Sequence, residues 1–181
     1  LYLAYFMTIK TIFLDRDGVI NKEINYLHKI EDFEFINGVF EACQYLESLN
    51  YKIIITTNQS GISRGYYTES DFQKITKWML SQFNNNNIDI LDVIHCPHLP
   101  SDFCDCRKPK PGMLLSAETK HNIDMENSWM IGDKENDIKA ANNAGIINTI
   151  LVKSGHKVDE SNSKSKFTLD SIKDIHQAIK Y

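Results

Sequence analysis

The sequence predicts an α/β chain: a doubly wound parallel sheet with helices on both faces and no large cap domain. Three observations lead there. Five short apolar runs of strand-forming residues alternate with stretches of helical spacing. Several of these runs end in polar turns, the positions where open α/β sheets place their ligands. No insertion between the runs is large enough to form a separate lid.

The chain has 181 residues, enough for a single domain with a sizeable core, assigned to 8–181. Residues 1–7 read as an N-terminal extension. LYLAYF precedes Met7, is too short for a secretory signal and lacks a basic start, so Met7 reads as the true beginning. A 42% hydrophobic and 24% charged composition is ordinary for a globular protein. Net charge is −4 with no basic stripe, which argues against nucleic acid as a partner. No apolar run is long enough to cross a bilayer, so no membrane partner is expected. An anionic substrate must then be met by local positive charge. A monomer in a reducing cytoplasm is the default expectation.

The first strand is Ile12, Phe13 and Leu14, and it ends at Asp15-Arg16-Asp17-Gly18. Two carboxylates two residues apart on extended backbone can project to one side. Their repulsion calls for an offsetting charge, and a hard cation such as Mg²⁺ supplies it. Residues 21–36 have no clean period and read as a loop excursion, with His28 solvated. Val39, Ala42, Cys43, Leu46 and Leu49 mark an amphipathic helix, with Cys43 a core thiol.

The second strand, 51–57, delivers Thr57, Asn58, Gln59, Ser60 and Gly61. A hydroxyl and backbone N–H groups there can donate to a phosphoryl oxygen, although taken alone TNQSG is a plain turn. Arg64, between two glycines, can hold a remote phosphate or simply face solvent. Thr68 to Asp71 reads as a cap for a helix over 68–83, and 90–95 as the third strand, with His95 packing at its end.

Cys96-Pro-His98, five residues, then Cys104-Asp-Cys106 supply three thiols and an imidazole. That is a filled tetrahedral set for structural Zn²⁺ in a loop with little core of its own. The densest basic cluster, Arg107, Lys108 and Lys110, follows at once. A helix reads from Pro111 to His121, with His121 exposed near its end. A fourth short strand, 128–131, leads into Gly132-Asp133-Lys134. Lys134 can touch a sugar hydroxyl or a phosphate. Asp137 lies one helical turn past Asp133 and can either face the same way or be surface charge. A helix over 138–144 and a strand over 146–152 follow. Residues 153–166 read as a polar surface loop, and 169–179 as a final amphipathic helix.

DRDGV after an apolar strand, TNQSG, the CRKPK run and GDKEND, in that order, resemble the four motifs of the haloacid dehalogenase superfamily. The Cys/His loop narrows this to its zinc-containing, minimally capped branch, over residues 10–181. The resemblance implies a Rossmann-like fold and a Mg²⁺-dependent phosphoric monoester hydrolase acting on a small phosphorylated sugar. Asp15 is then the nucleophile, forming an aspartyl-phosphate, and Asp17 the general acid and base. Thr57 and Lys108 steady the transferring phosphoryl group. Asp133 completes a Mg²⁺ site with Asp15 and Asp17. Glu23, Ile24, Asn25 and Tyr26 line the substrate pocket, joined by Asn58, Gln59, Ser60, Arg64, Arg107 and Lys134.

Within that branch TNQSGISRG, PKPGM and the Asp133-Lys134 pair resemble enzymes acting on heptose bisphosphates, which implies removal of the C7 phosphate of a heptose 1,7-bisphosphate, in heptose precursor synthesis for surface polysaccharide. The nearest rival is histidinol phosphate, whose phosphatases carry a similar loop. A receiver-like phosphoacceptor is a rival of another class, but it needs neither Asp17 nor the zinc loop. A zinc-stabilised binding module with a decayed site would not retain all four motifs.

Overall fold

The computed structural model describes residues 7–181, so the expected extension lies almost wholly outside the described residues. Ten principal elements follow along the chain, strand and helix alternating as far as β5. They are β1 (Thr11–Leu14), α1 (Val39–Ser48), β2 (Lys52–Asn58), α2 (Glu69–Asn85), β3 (Ile90–Cys96), α3 (Gly112–His121), β4 (Trp129–Gly132), α4 (Glu135–Asn143), β5 (Asn148–Val152) and β6 (Phe167–Leu169).

The six strands form one sheet in the order β3-β2-β1-β4-β5-β6, and every pairing is parallel. β1 is central and wholly buried, which is why it reads as an unbroken apolar run. Alternation along the strands splits the core in two. Ile12, Leu14, Ile53, Ile55 and Ile131 face one layer, where α1, α2 and the C-terminal segment pack. Phe13, Ile54 and Met130 face the other, against Leu114 and Ala117 of α3 and Ala140 and Ala141 of α4. Helices therefore cover both faces.

The chain runs outward from β1 through β2 to β3, then returns to β4 on the other side of β1. The order reverses between β1 and β4. A crevice opens at the carboxyl ends of the strands at such a switch point. Asp15 and Asp133 stand at those two strand ends.

Several elements start where the sequence chemistry says they should. Thr68 Oγ1 accepts from the Asp71 amide at 3.1 Å, and Asp71 Oδ2 accepts from the Thr68 amide at 2.8 Å, closing a reciprocal cap on α2. Cys43 is a buried core thiol as expected. His95 pairs with Glu69 at 3.0 Å and lies against Phe72, a packing role.

Three expectations need correction. Residues 169–179 do not form an α-helix: Phe167–Leu169 joins the sheet as a sixth strand, and Ile172–Gln177 forms a 3₁₀ segment. Ile172 and Ile175 are three apart, a spacing that a 3₁₀ turn also brings to one side. His121 is not a free surface group, because its ring accepts or donates with Asp92 at 2.7 Å. His28 is half-buried rather than solvated, stacked on Tyr67 with ring centres 5.2 Å apart.

Candidate active site

The cleft at the switch point is built around Lys108. Its ammonium reaches up from the turn before α3 and is buried. It donates to Asp15 Oδ1 at 3.0 Å and to the Thr56 carbonyl at 2.8 Å, and lies 2.6 Å from Asp137 Oδ1. Asn58 fixes the backbone beneath it. Its amide donates to the Lys108 carbonyl at 3.1 Å, and its Oδ1 accepts from the Lys108 amide at 3.1 Å.

Asp15, Asp133 and Asp137 bring carboxylate oxygens within 4.8 Å of one another, all three residues buried. Three clustered carboxylates thus share one buried ammonium, which pairs with Asp15 and Asp137. Burial pushes Asp15 up to about 6; Asp137 and Asp17 push the same way, and Lys108 pulls against them. Burial and the neighbouring Asp15 also raise Asp133. Burial opposes charge on Lys108, but Asp137 and Asp15 more than offset it and hold the amine protonated. The excess of negative charge favours a cation beside Lys108.

Asp133 shows where one fits. Its Oδ2 is hydrogen-bonded, while its Oδ1 is buried with no partner. A bare, buried carboxylate oxygen among further carboxylates suits a hard, oxygen-seeking ion such as Mg²⁺.

Asp17 stands on the other side of Asp15. Its Oδ1 accepts from Arg16 Nη2 at 2.9 Å and Asn21 Nδ2 at 3.0 Å, and its Oδ2 accepts from Gln59 Nε2 at 2.9 Å. The same Gln59 amide donates to Thr57 Oγ1 at 2.8 Å. Because that oxygen accepts from Gln59, the Thr57 hydroxyl proton is left for an acceptor in the cleft. Tyr67 O–H donates to Gln59 Oε1 and so fixes which way the amide points.

Glu23, Ile24, Asn25 and Tyr26 line the open side of the cleft, and Ser60, Arg107 and Lys134 complete the wall. Burial, then Asp17, push Glu23 up to about 7. Arg64 is not part of the cleft wall; its guanidinium lies 5.9 Å from the Tyr26 ring centre, over the rim. Gln59 and Asn58 also line the cleft, but their side chains are engaged in holding Asp17, Thr57 and Lys108.

Cys96, His98, Cys104 and Cys106 converge beside this site. Cys96 Sγ lies 3.0 Å from Cys106 Sγ and 3.6 Å from Cys104 Sγ, and His98 Nδ1 lies 3.2 Å from Cys106 Sγ. Tetrahedral Zn–S bonds of about 2.3 Å would set such edges at roughly 3.8 Å, so the cluster is of the right size and donor type. Burial opposes thiolate formation at Cys104, yet hydrogen bonds from the Arg107 amide and the other thiols draw it down to about 7. Arg107 Nη1 donates back to the His98 carbonyl at 3.3 Å, tying the loop to the cleft.

Comparison with known proteins bears directly on this arrangement. The HAD-hydrolase-like family model matches residues 105–175. A D-glycero-alpha-D-manno-heptose-1,7-bisphosphate 7-phosphatase of Photorhabdus laumondii is 50% identical over 159 residues, 84% of this chain and 87% of its own length. The chain belongs to the heptose-1,7-bisphosphate 7-phosphatase family. A D-glycero-beta-D-manno-heptose-1,7-bisphosphate 7-phosphatase of Escherichia coli K12 is 41% identical over 181 residues, 96% of this chain and 95% of its own. Among solved structures, a D,D-heptose 1,7-bisphosphate phosphatase of B. bronchiseptica complexed with magnesium and phosphate superposes with a TM-score of 0.81 at 26% identity, over 93% of this chain and 97% of that one. The family is thus one of phosphatases with a haloacid-dehalogenase-like fold. No described helix is long and apolar enough to cross a membrane.

Two groups at this family site were not legible beforehand. The one-turn spacing of Asp137 from Asp133 fits either cleft or surface, and the structure buries it against Lys108. His156 sits in the segment expected to be a plain surface loop, yet it lines the cleft and contacts Asp133. No pattern in 153–166 marks His156; the Gly155 before it is the nearest hint, since glycine permits close backbone approach.

Proposed function

We propose that this chain removes the C7 phosphate of D-glycero-D-manno-heptose 1,7-bisphosphate through an aspartyl-phosphate on Asp15, in the cytoplasmic synthesis of heptose precursors for surface polysaccharide. The observation that carries it is the convergence of Asp15, Asp17, Thr57, Lys108 and Asp133 from four separate segments at one switch point. Asp15 attacks phosphorus, and the bond to the sugar oxygen breaks as that oxygen takes a proton from Asp17. Asp17 then takes a proton from water, which attacks the aspartyl-phosphate and releases inorganic phosphate. Lys108 and the Thr57 hydroxyl stabilise charge on the phosphoryl oxygens. Mg²⁺, held by the carboxylates of Asp15 and Asp133 and the backbone carbonyl of Asp17, would supply charge neutralisation between nucleophile and phosphate. Zn²⁺ on Cys96, His98, Cys104 and Cys106 would be structural, since no position is left for water.

Glu23, Ile24, Asn25, Tyr26, Ser60, Arg107 and Lys134 form the substrate wall in this reading, with Arg64 reserved for a group projecting past the rim. The test is phosphate release from both anomeric heptose bisphosphates and from histidinol phosphate, with Asp15→Asn as control. Preferential turnover of a heptose bisphosphate, lost by a factor of about a hundred or more in Asp15→Asn, supports the assignment. Preference for histidinol phosphate, or near-normal turnover by the variant, contradicts it.

A further inference from the structure

The segment after β5 is a strap across the two strand ends that carry Asp15 and Asp133. Ser154 Oγ donates to the Gly18 carbonyl at 2.8 Å, and the Lys153 amide donates to the Leu169 carbonyl at 3.0 Å, so the strap is tied at both the β1 turn and the sheet edge. Gly155 lies so close to Gly18 that a Cβ on it would meet the Gly18 Cα at 2.7 Å and run into Asp133 Oδ2. Next comes His156. Its backbone amide donates to Asp133 Oδ2 at 2.9 Å, and its ring Nδ1 stands 2.6 Å from the same oxygen. Asp133 is fully buried, and its other oxygen, Oδ1, has no partner. One oxygen is saturated and the other is bare.

We infer that His156 is a positioning residue for Asp133: its Nδ1–H and its amide occupy Oδ2 and thereby present Oδ1 to the cation. This rests on the phosphatase reading above, because it concerns the cation that reading requires. With the ring removed, Oδ2 keeps one donor, and the carboxylate can rotate between its two oxygens. Groups that orient a metal-binding carboxylate typically contribute about ten- to a hundredfold to affinity. Because one of the two donors is backbone, the lower end of that range is expected.

The test reads binding of Mn²⁺, as a spectroscopic substitute for Mg²⁺, by titration calorimetry and electron paramagnetic resonance on the intact zinc-loaded chain without substrate. His156→Ala weakens Mn²⁺ about tenfold, and His156→Asn, whose amide can replace Nδ1–H, recovers most of the loss. If His156→Ala fails to fold, His156→Phe against His156→Asn makes the same comparison with side-chain bulk retained. Unchanged affinity in the variant lacking the donor overturns the inference. So does nitrogen hyperfine coupling to bound Mn²⁺ that vanishes with the ring, since His156 would then be a ligand. A wild-type chain that binds no Mn²⁺ overturns both this inference and the phosphatase reading, whereas binding that His156→Ala leaves intact overturns this one alone.

Discussion

Lys108 Nζ lies 2.6 Å from Asp137 Oδ1, and neither side chain is more than 3% exposed. Asp137 is also a cap: its Oδ2 accepts from the Lys134 amide at 3.1 Å at the start of α4. One carboxylate therefore holds the ammonium under the cleft and fixes the helix that follows Asp133. Removing one partner of a buried pair costs about 3–5 kcal/mol. Lys108 would keep Asp15, so Asp137→Ala should cost about 3 kcal/mol, the low end, with turnover falling as well. Urea denaturation checks the first and phosphate release the second. An unchanged denaturation midpoint would show that Asp15 alone satisfies Lys108.

Gln59 offers a different kind of test. It was expected to touch substrate, but its amide bridges Asp17 and Thr57 and is itself held by Tyr67. Gln59→Glu places an oxygen where a donor faced Asp17, so like charges meet. A misplacement of about 1 Å in a catalytic group can cost a hundredfold, and turnover should fall by roughly ten- to a hundredfold. Tyr67→Phe removes only the group orienting the amide and should have a smaller effect in the same direction. Steady-state kinetics on the heptose bisphosphate distinguish the two readings. A raised KM with unchanged kcat in both variants would return Gln59 to the role of a substrate contact.

What was legible in the sequence follows from how each signal is encoded. β1 and β2 are wholly or largely buried, so their apolar runs declare themselves. The Cys/His cluster was legible because its members are close in sequence, at 96, 98, 104 and 106. β6 was missed because three residues at a sheet edge carry too short a pattern to register. His156 carries no sequence signal because its contact with Asp133 depends on the segment after β5 crossing β4 to reach the β1 turn, a tertiary fact. Residues 58 and 59 line the cleft, but a side chain that lines a cleft and one that braces its neighbours look the same in one dimension.

The zinc loop should be separable from the chemistry it supports. Residues 97–106 contain only a three-residue 3₁₀ turn, and several of their side chains are exposed. The loop leads straight into Arg107 and Lys108, and Arg107 is hydrogen-bonded to its His98 carbonyl. Metal analysis should find Zn²⁺ equimolar with the chain and resistant to mild chelation, with Mg²⁺ needed separately for turnover. Cys104→Ser should lose Zn²⁺, lower the melting temperature and raise KM through displacement of Arg107. Zinc-free protein with normal melting and kinetics would remove the structural role.

The last prediction concerns acid. Asp92 on β3 accepts from Lys120 Nζ and His121 Nε2, both at 2.7 Å, and so clips the last turn of α3 to the edge of the sheet. Burial would raise its pKa, but the hydrogen bonds from His121 and Lys120 outweigh it and hold the carboxyl below its ordinary range. A carboxyl depressed in the folded state stabilises fully above its unfolded value, about 3.9, and loses that contribution as pH falls through the folded value. Asp92→Asn should therefore be less stable than wild type at pH 7, by a margin that narrows as pH falls below about 4. Urea midpoints for both proteins across that range test it. Comparing the pair at each pH cancels acid release of the metals, which the two share. A gap that stays constant to pH 3 would mean that the clip acts through shape and not through charge.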